Sequence, residues 1–178
     1  MSFPGIPSLD AAVMAFIQTH FHNTVTDTVF PIITSLGEAG IGWIVLSLVL
    51  LCFKKTRRTG GLVLIAMTVT LLFGELTLKN IICRLRPCNV FTNFPMLIAR
   101  PTSYSFPSGH TSSSFAAALI LTLRHKKVGW LAYIPAVLIA FSRIFLFVHY
   151  PTDVLAGILL GTLAALLTYF AAKAIQKR

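Results

Sequence analysis

Acidic side chains are scarce in this chain of 178 residues: five Asp and Glu stand against fifteen Lys and Arg, a net charge of +10. Charge of either sign amounts to 11% of the residues, while 56% are hydrophobic. A soluble globule of this size carries roughly twice that charged share, so an ordinary water-soluble fold is excluded. Cysteine is rare and odd in number, at three, which argues against a disulfide framework. A Cys83–Cys88 bridge would need a strained short spacing. No HExxH or paired-cysteine spacing offers a zinc site, and no Walker-type loop offers a nucleotide site. Nothing alternates with a two-residue period for long enough to build a barrel. Repeats, linkers and low-complexity tracts are missing, which leaves a single domain over residues 1–178. The first 25 residues lack a basic start followed by a clean apolar run, so no cleavable signal peptide is evident.

What the chain does hold is a series of long apolar runs, near 37–53, 60–82, 108–123, 128–148 and 154–172. Their lengths lie around the ~20 residues that cross a bilayer core as a helix. They predict an all-α, integral membrane bundle with five clear spans. Residues 8–22 are amphipathic, with Pro7-Ser8 as a helix start, and residues 24–36 form a second short apolar segment interrupted by Asp27 and Pro31. This irregular N-terminal stretch, 1–36, reads either as one imperfect span or as two segments at the outer interface. It makes the bundle one of about six helices.

Ten of the fifteen basic residues lie in three clusters: Lys54-Lys55-Thr56-Arg57-Arg58, Arg124-His125-Lys126-Lys127, and Lys173 with Lys177-Arg178. Counted span by span, all three fall on one side, which the positive-inside rule makes cytoplasmic. Topology thus accounts for the base excess, and a nucleic-acid partner is not needed. The opposite, extracytoplasmic side receives residues 83–107 and the turn at 149–153. The remaining basic residues, Lys79, Arg84, Arg86, Arg100 and Arg143, belong to this side, against the trend.

Three strings converge there. The first is Lys79-x6-Arg86-Pro87. Seven residues are two helical turns, so Lys79 and Arg86 share a face if the helix persists, with Arg86 at a frayed end because of Pro87. Glu75 precedes Lys79 by four, the favourable order for a helical ion pair, and reads as its orienting partner. Taken alone, these cations could equally snorkel to the interface. The second string, Pro107-Ser108-Gly109-His110, opens a span with Pro in the first turn. A helix start is an anion site, and His110 there would face the anion as an acid for a leaving oxygen. Ser112, Ser113 and Ser114 read as small residues for close packing, as does Gly157-x3-Gly161. The third string is Ser142-Arg143-x5-His149-x3-Asp153. Asp153 can hold one ring nitrogen of His149 and leave the other free to attack phosphorus. Arg143 can fork two hydrogen bonds onto phosphate oxygens.

In order and spacing these strings resemble the tripartite signature of the type 2 phosphatidic acid phosphatase superfamily, which also includes bacterial non-specific acid phosphatases and vanadium haloperoxidases. The match runs through residues 79–153 without a departure. The resemblance implies that His149 is the nucleophile forming a phosphohistidine, Asp153 orients it, and His110 is the acid. It further implies that Lys79, Arg86 and Arg143 hold the phosphate, with Ser108 and Gly109 helping by side chain or backbone amide, and that no metal or cofactor takes part. Small integral bacterial members act on lipid phosphates in the cytoplasmic membrane. The expected substrate is therefore a lipid phosphate, undecaprenyl diphosphate first and phosphatidylglycerol phosphate or phosphatidic acid second. A non-hydrolytic lipid or anion carrier is the remote alternative.

Overall fold

The computed structural model describes residues 3–176, so the Lys177-Arg178 part of the basic tail lies outside the described residues. Nine α-helices are present among the described residues. They are α1 (Ser8–His20), α2 (Thr24–Leu36), α3 (Ile41–Cys52), α4 (Arg57–Thr70), α5 (Lys79–Ile82), α6 (Pro87–Val90), α7 (Gly109–Arg124), α8 (Tyr133–Phe145) and α9 (Pro151–Ile175). Each of the five apolar runs contains a helix. A wide-turned π segment, Leu71–Leu78, joins α4 to α5 without a break. Among the described residues two stretches are long and apolar enough to cross a bilayer: the run Arg57–Val90 and helix Pro151–Ile175. The pair Thr24–Leu36 and Glu38–Cys52, bent by 44° at its joint, qualifies as a third if taken as one span. Gly129–Phe145 is apolar but shorter.

The N-terminal stretch is two helices, α1 and α2, at the two segments read near 8–22 and 24–36. Asn23 accepts the amides of Val25 and Thr26 at 3.0 and 3.1 Å, which caps the start of α2. The α1 helix buries Asp10, Met14, Ile17 and Gln18, a spacing that puts all four on one face.

Helix α7 is central, packed against α9, α4 and α8. Its contact with α9 is close because two glycines open it. A Cβ on Gly157 would lie 2.7 Å from the Ser108 carbonyl oxygen, and one on Gly161 would meet the Ser112 carbonyl and the Ala116 amide. Ala116, Ala117, Ala118, Ala164 and Ala165 complete a seam of small buried residues. The opposite face of α9 is different. Leu155, Leu159, Leu163 and Leu167 form a stripe four residues apart, each about half exposed or more. Apolar stripes of that extent have no stable place in water and suit lipid tails.

Candidate active site

The three strings meet at one cavity of about 990 Å³. Lys79, Arg86, Gly109, His110, Arg143 and His149 line it, together with Glu75 and Glu38. Each string arrives on a different piece of backbone.

Lys79 opens α5, and both oxygens of Glu75 lie against its ammonium, at 2.7 and 2.8 Å. The π segment sets this pair: the Lys79 amide reaches back to the Gly74 carbonyl, one residue further than in an α-helix. The helix does not persist to Arg86, contrary to the shared-face expectation. It ends at Ile82, Cys83 turns left-handed at φ 50°, and Arg86 is extended at φ −71°, ψ 153° ahead of Pro87. Arg86 reaches the cavity because the chain turns, with Pro87 as the first residue of α6. Cys52, Cys83 and Cys88 are all free, so Cys83 and Cys88 are not bridged.

Helix α7 begins at Gly109, two residues later than the Pro107 start read from the sequence, with Ser108 as its N-cap. Gly109 and His110, its first two residues, stand at the cavity wall, where a helix N-terminus favours an anion. A side chain at Gly109 would collide with the Glu75 carboxylate. Ser108 is fully buried and does not line the cavity. Its amide donates to the Asp153 carbonyl at 3.1 Å and its hydroxyl accepts from Thr111 at 2.9 Å. It thus ties the start of α7 to that of α9. Ser114 accepts from the Trp43 indole at 2.8 Å inside the bundle, whereas Ser112 and Ser113 also reach the cavity wall.

His149 follows α8 in a short loop where Phe147 has φ 60° and the Val148 and His149 amides both donate to the Arg143 carbonyl at 3.2 Å. Arg86 donates from Nη1 to the Val148 carbonyl and, at 2.9 Å, to His149 Nε2. A guanidinium only donates, so Nε2 is an acceptor and the ring proton sits on Nδ1. Nδ1 faces Asp153 Oδ2 at 3.4 Å and the Ser105 hydroxyl at 3.5 Å. Burial, followed by the charges of Arg86, Arg143 and Lys79, holds the His149 pKa well below the ordinary histidine value. The ring is therefore neutral at neutral pH, with its Nε2 lone pair directed at the cations.

Asp153 is fully buried. Its Oδ2 accepts the Tyr150 amide at 2.9 Å and the Ser105 hydroxyl, and its Oδ1 accepts Arg84 Nη1 at 2.6 Å. Arg143 donates to the Thr34 hydroxyl at 2.5 Å, while its Nε and His110 Nε2 are buried without a hydrogen-bond partner. Glu38 Oε2 is the acidic atom near His110, at 3.4 Å. Arg86 is braced by Ser103, which accepts at both its carbonyl and its hydroxyl.

Three buried cations against two carboxylates leave a cavity in excess of positive charge, which only an anion relieves at low cost. Among the described residues no group of three or more His, Cys, Asp or Glu is arranged to hold a metal ion. Sequence reasoning missed Asp10, Arg84, Ser103, Ser105, Thr34 and Glu38. Arg84 was visible as a cation on the wrong side of the membrane; the others carried no signal, since isolated Ser, Thr or acids at loop and helix ends are ordinary.

Known proteins give the same picture. The sequence profile of the PAP2 superfamily matches residues 59–177. An undecaprenyl-diphosphatase of Sulfolobus acidocaldarius is 40% identical over 121 residues, which is 67% of this chain and 58% of that one. The chain thus spans less than two thirds of that relative's length. Undecaprenyl-diphosphatase BcrC of Bacillus subtilis is 31% identical, over 83% of this chain and 76% of its own. Among solved structures, a transmembrane PAP2-type phosphatidylglycerolphosphate phosphatase from Bacillus subtilis superposes with a TM-score of 0.76 at 29% identity, covering 97% of this chain and 89% of that one. The chain belongs to the PAP2 superfamily and has the membrane fold of its phosphatases.

Proposed function

We propose that the protein is a membrane lipid phosphatase that hydrolyses undecaprenyl diphosphate through a phosphohistidine, at the extracytoplasmic face of a bacterial cytoplasmic membrane. The observation that carries this reading is the state of His149: Nδ1 turned to Asp153, Nε2 unprotonated and met by Arg86. The terminal phosphate takes the place of the lone pair's present partner and is held by Lys79, Arg86, Arg143 and the first amides of α7. Nε2 attacks phosphorus, the bond to the bridging oxygen breaks, and His110 gives that oxygen its proton. Water then attacks the phosphohistidine and passes a proton to His110, the N–P bond breaks with its electron pair returning to Nε2, and inorganic phosphate leaves. Charge developing on the equatorial oxygens meets fixed cations and amides, so little reorganisation is needed. No step calls for a metal.

Ile44, Leu64, Met67, Leu71 and Ile98 give one side of the cavity an apolar wall, suited to the first carbons of a lipid tail. The relatives named undecaprenyl-diphosphatases support the diphosphate as substrate. A second reading, hydrolysis of phosphatidylglycerol phosphate, is supported by the likeness to the Bacillus subtilis structure. The basic clusters at the opposite loops support the extracytoplasmic placement.

The test is phosphate release by purified protein in detergent with EDTA, comparing undecaprenyl diphosphate, phosphatidylglycerol phosphate and phosphatidic acid, with His149→Ala as control. The expected result is EDTA-resistant release, fastest from the diphosphate and abolished in the variant. Faster release from phosphatidylglycerol phosphate would favour the second reading. Release that survives His149→Ala would remove the nucleophile, and no release from any lipid would revive the carrier.

A further inference from the structure

Asp10 is a fully buried acid, and the chemistry above does not use it. It belongs to the first turn of α1, and its partners all belong to the far end of the chain or to the first string. Oδ1 accepts the Thr152 amide at 2.9 Å. Oδ2 accepts the Thr152 hydroxyl and Arg84 Nη2, both at 2.7 Å. Arg84 then carries the contact onward: its Nη1 donates to Asp153 Oδ1 at 2.6 Å and to the Thr152 hydroxyl at 2.7 Å. The guanidinium also lies over the Tyr150 ring, 3.8 Å from its centre.

Two consequences follow from elementary electrostatics. Thr152 is the second residue of α9, so its amide has no partner within the helix. Asp10 supplies one from another helix and sets a negative charge at the positive helix end. The other consequence concerns Asp153. Arg84 paired with Asp153 alone would cancel the charge that His149 needs beside Nδ1. Shared between two carboxylates, it leaves the cluster one negative charge in excess, which matches the positive charge the imidazole ring gains on bonding to phosphorus.

The α1 helix is also anchored at its other end. Gln18 donates to the Ile144 and Phe145 carbonyls at 3.3 and 3.0 Å, at the close of α8. One helix therefore fastens both sides of the loop 146–150 that carries His149. We propose that Asp10, acting through Arg84 and Thr152, is a positioning residue that holds Asp153 against His149, so that the seating of α1 is a condition of phosphoryl transfer. This rests on His149 being the nucleophile.

The experiment compares Asp10→Asn, Asp10→Glu, Thr152→Val and His149→Ala as full-length protein in detergent, with undecaprenyl diphosphate and phosphatidic acid. It records kcat, KM, thermal stability and the single-turnover rate of acid-labile phosphate appearing on the protein. Asp10→Asn is expected to lower kcat and phosphoenzyme formation together, on the order of tenfold or more, as misplacing a reacting group does. KM should stay within about twofold, because the phosphate cradle is untouched. Asp10→Glu should recover part of the rate. A kcat equal to wild type in Asp10→Asn would overturn the proposal. So would a loss that merely follows the folded fraction with an unchanged phosphoenzyme rate. Should Asp10→Asn fail to fold, Thr152→Val, which keeps both carboxylates and the helix amide, must still slow phosphoenzyme formation; an unchanged rate there is equally fatal. A fully active Asp10→Asn beside a dead His149→Ala removes the role of Asp10 alone, whereas an active His149→Ala removes the underlying mechanism.

Discussion

At Gly109 the absent side chain makes room for Glu75, whose carboxylate fills the space that a Cβ would take. The obstacle is the tip of a flexible side chain, so Gly109→Ala should cost little stability while turning Glu75 away from Lys79. A several-fold rise in KM with a nearly unchanged melting temperature is the expected outcome. Glu75→Gln, which keeps the shape and removes the charge, should raise KM in the same direction; an unchanged KM in both would reduce Glu75 to packing. His149 gives a separate prediction from pH. Its folded pKa is lowered, so below the unfolded value of about 6.5 the unfolded chain takes up a proton that the native state refuses. Stability is thus full above that value and falls as the pH drops towards 5. Thermal melts of His149→Gln should show a weaker acid loss than wild type, and an identical slope would contradict the neutral, buried ring.

Among the elements, the α7–α9 contact aligns the proposed acid with the support of the proposed nucleophile. His110 rides on the first turn of α7 and Asp153 on the first turn of α9, and Ser108 N–H bonds the two starts directly. Gly157 and Gly161 allow this approach because a backbone carbonyl lies nearest to each, that of Ser108 and that of Ser112. Gly161→Val should therefore destabilise by about 1–3 kcal/mol, the usual cost of overpacking. It should also lower kcat more than the stability loss accounts for, since both helix starts move. A lower melting temperature with full kcat would separate packing from catalysis. Helix ends matter as much as helices. The Lys79–Arg86 spacing reads as two turns on one helix, yet the left-handed Cys83 breaks the helix between them and a turn delivers Arg86 instead.

For the whole molecule, the apolar exterior and the charged interior invert the pattern of a soluble fold. The α9 leucine stripe faces outward while Lys79, Arg86 and Arg143 are almost fully buried. The basic clusters and the 83–107 segment should then lie across the bilayer from each other. Single cysteines at Lys126 and Asn93, in a chain freed of its native three, should be labelled from opposite sides of sealed vesicles. Labelling from the same side would overturn the topology. Composition and run length were enough to read an all-helical membrane protein, because transfer to lipid depends on residue type in bulk. The two N-terminal helices lie where the segments 8–22 and 24–36 were read, but the bent pairing of Thr24–Leu36 with Glu38–Cys52 was not legible, since local apolarity carries no information on the angle between helices.

The amino-acid sequence by itself determined the helical membrane class, and its composition and spacings singled out an expected sidedness of the loops and Lys79, Arg86, His110, Arg143, His149 and Asp153 as candidate groups. Those follow from local composition and from fixed spacings, which survive any packing arrangement. Only the tertiary structure decided that Ser108 serves the helix junction and that Arg84 is shared by Asp10 and Asp153. Such partnerships join residues far apart in sequence, 69 positions for Arg84 and Asp153 and 142 for Asp10 and Thr152. They depend on distance and direction in space, for which a linear spacing has no counterpart.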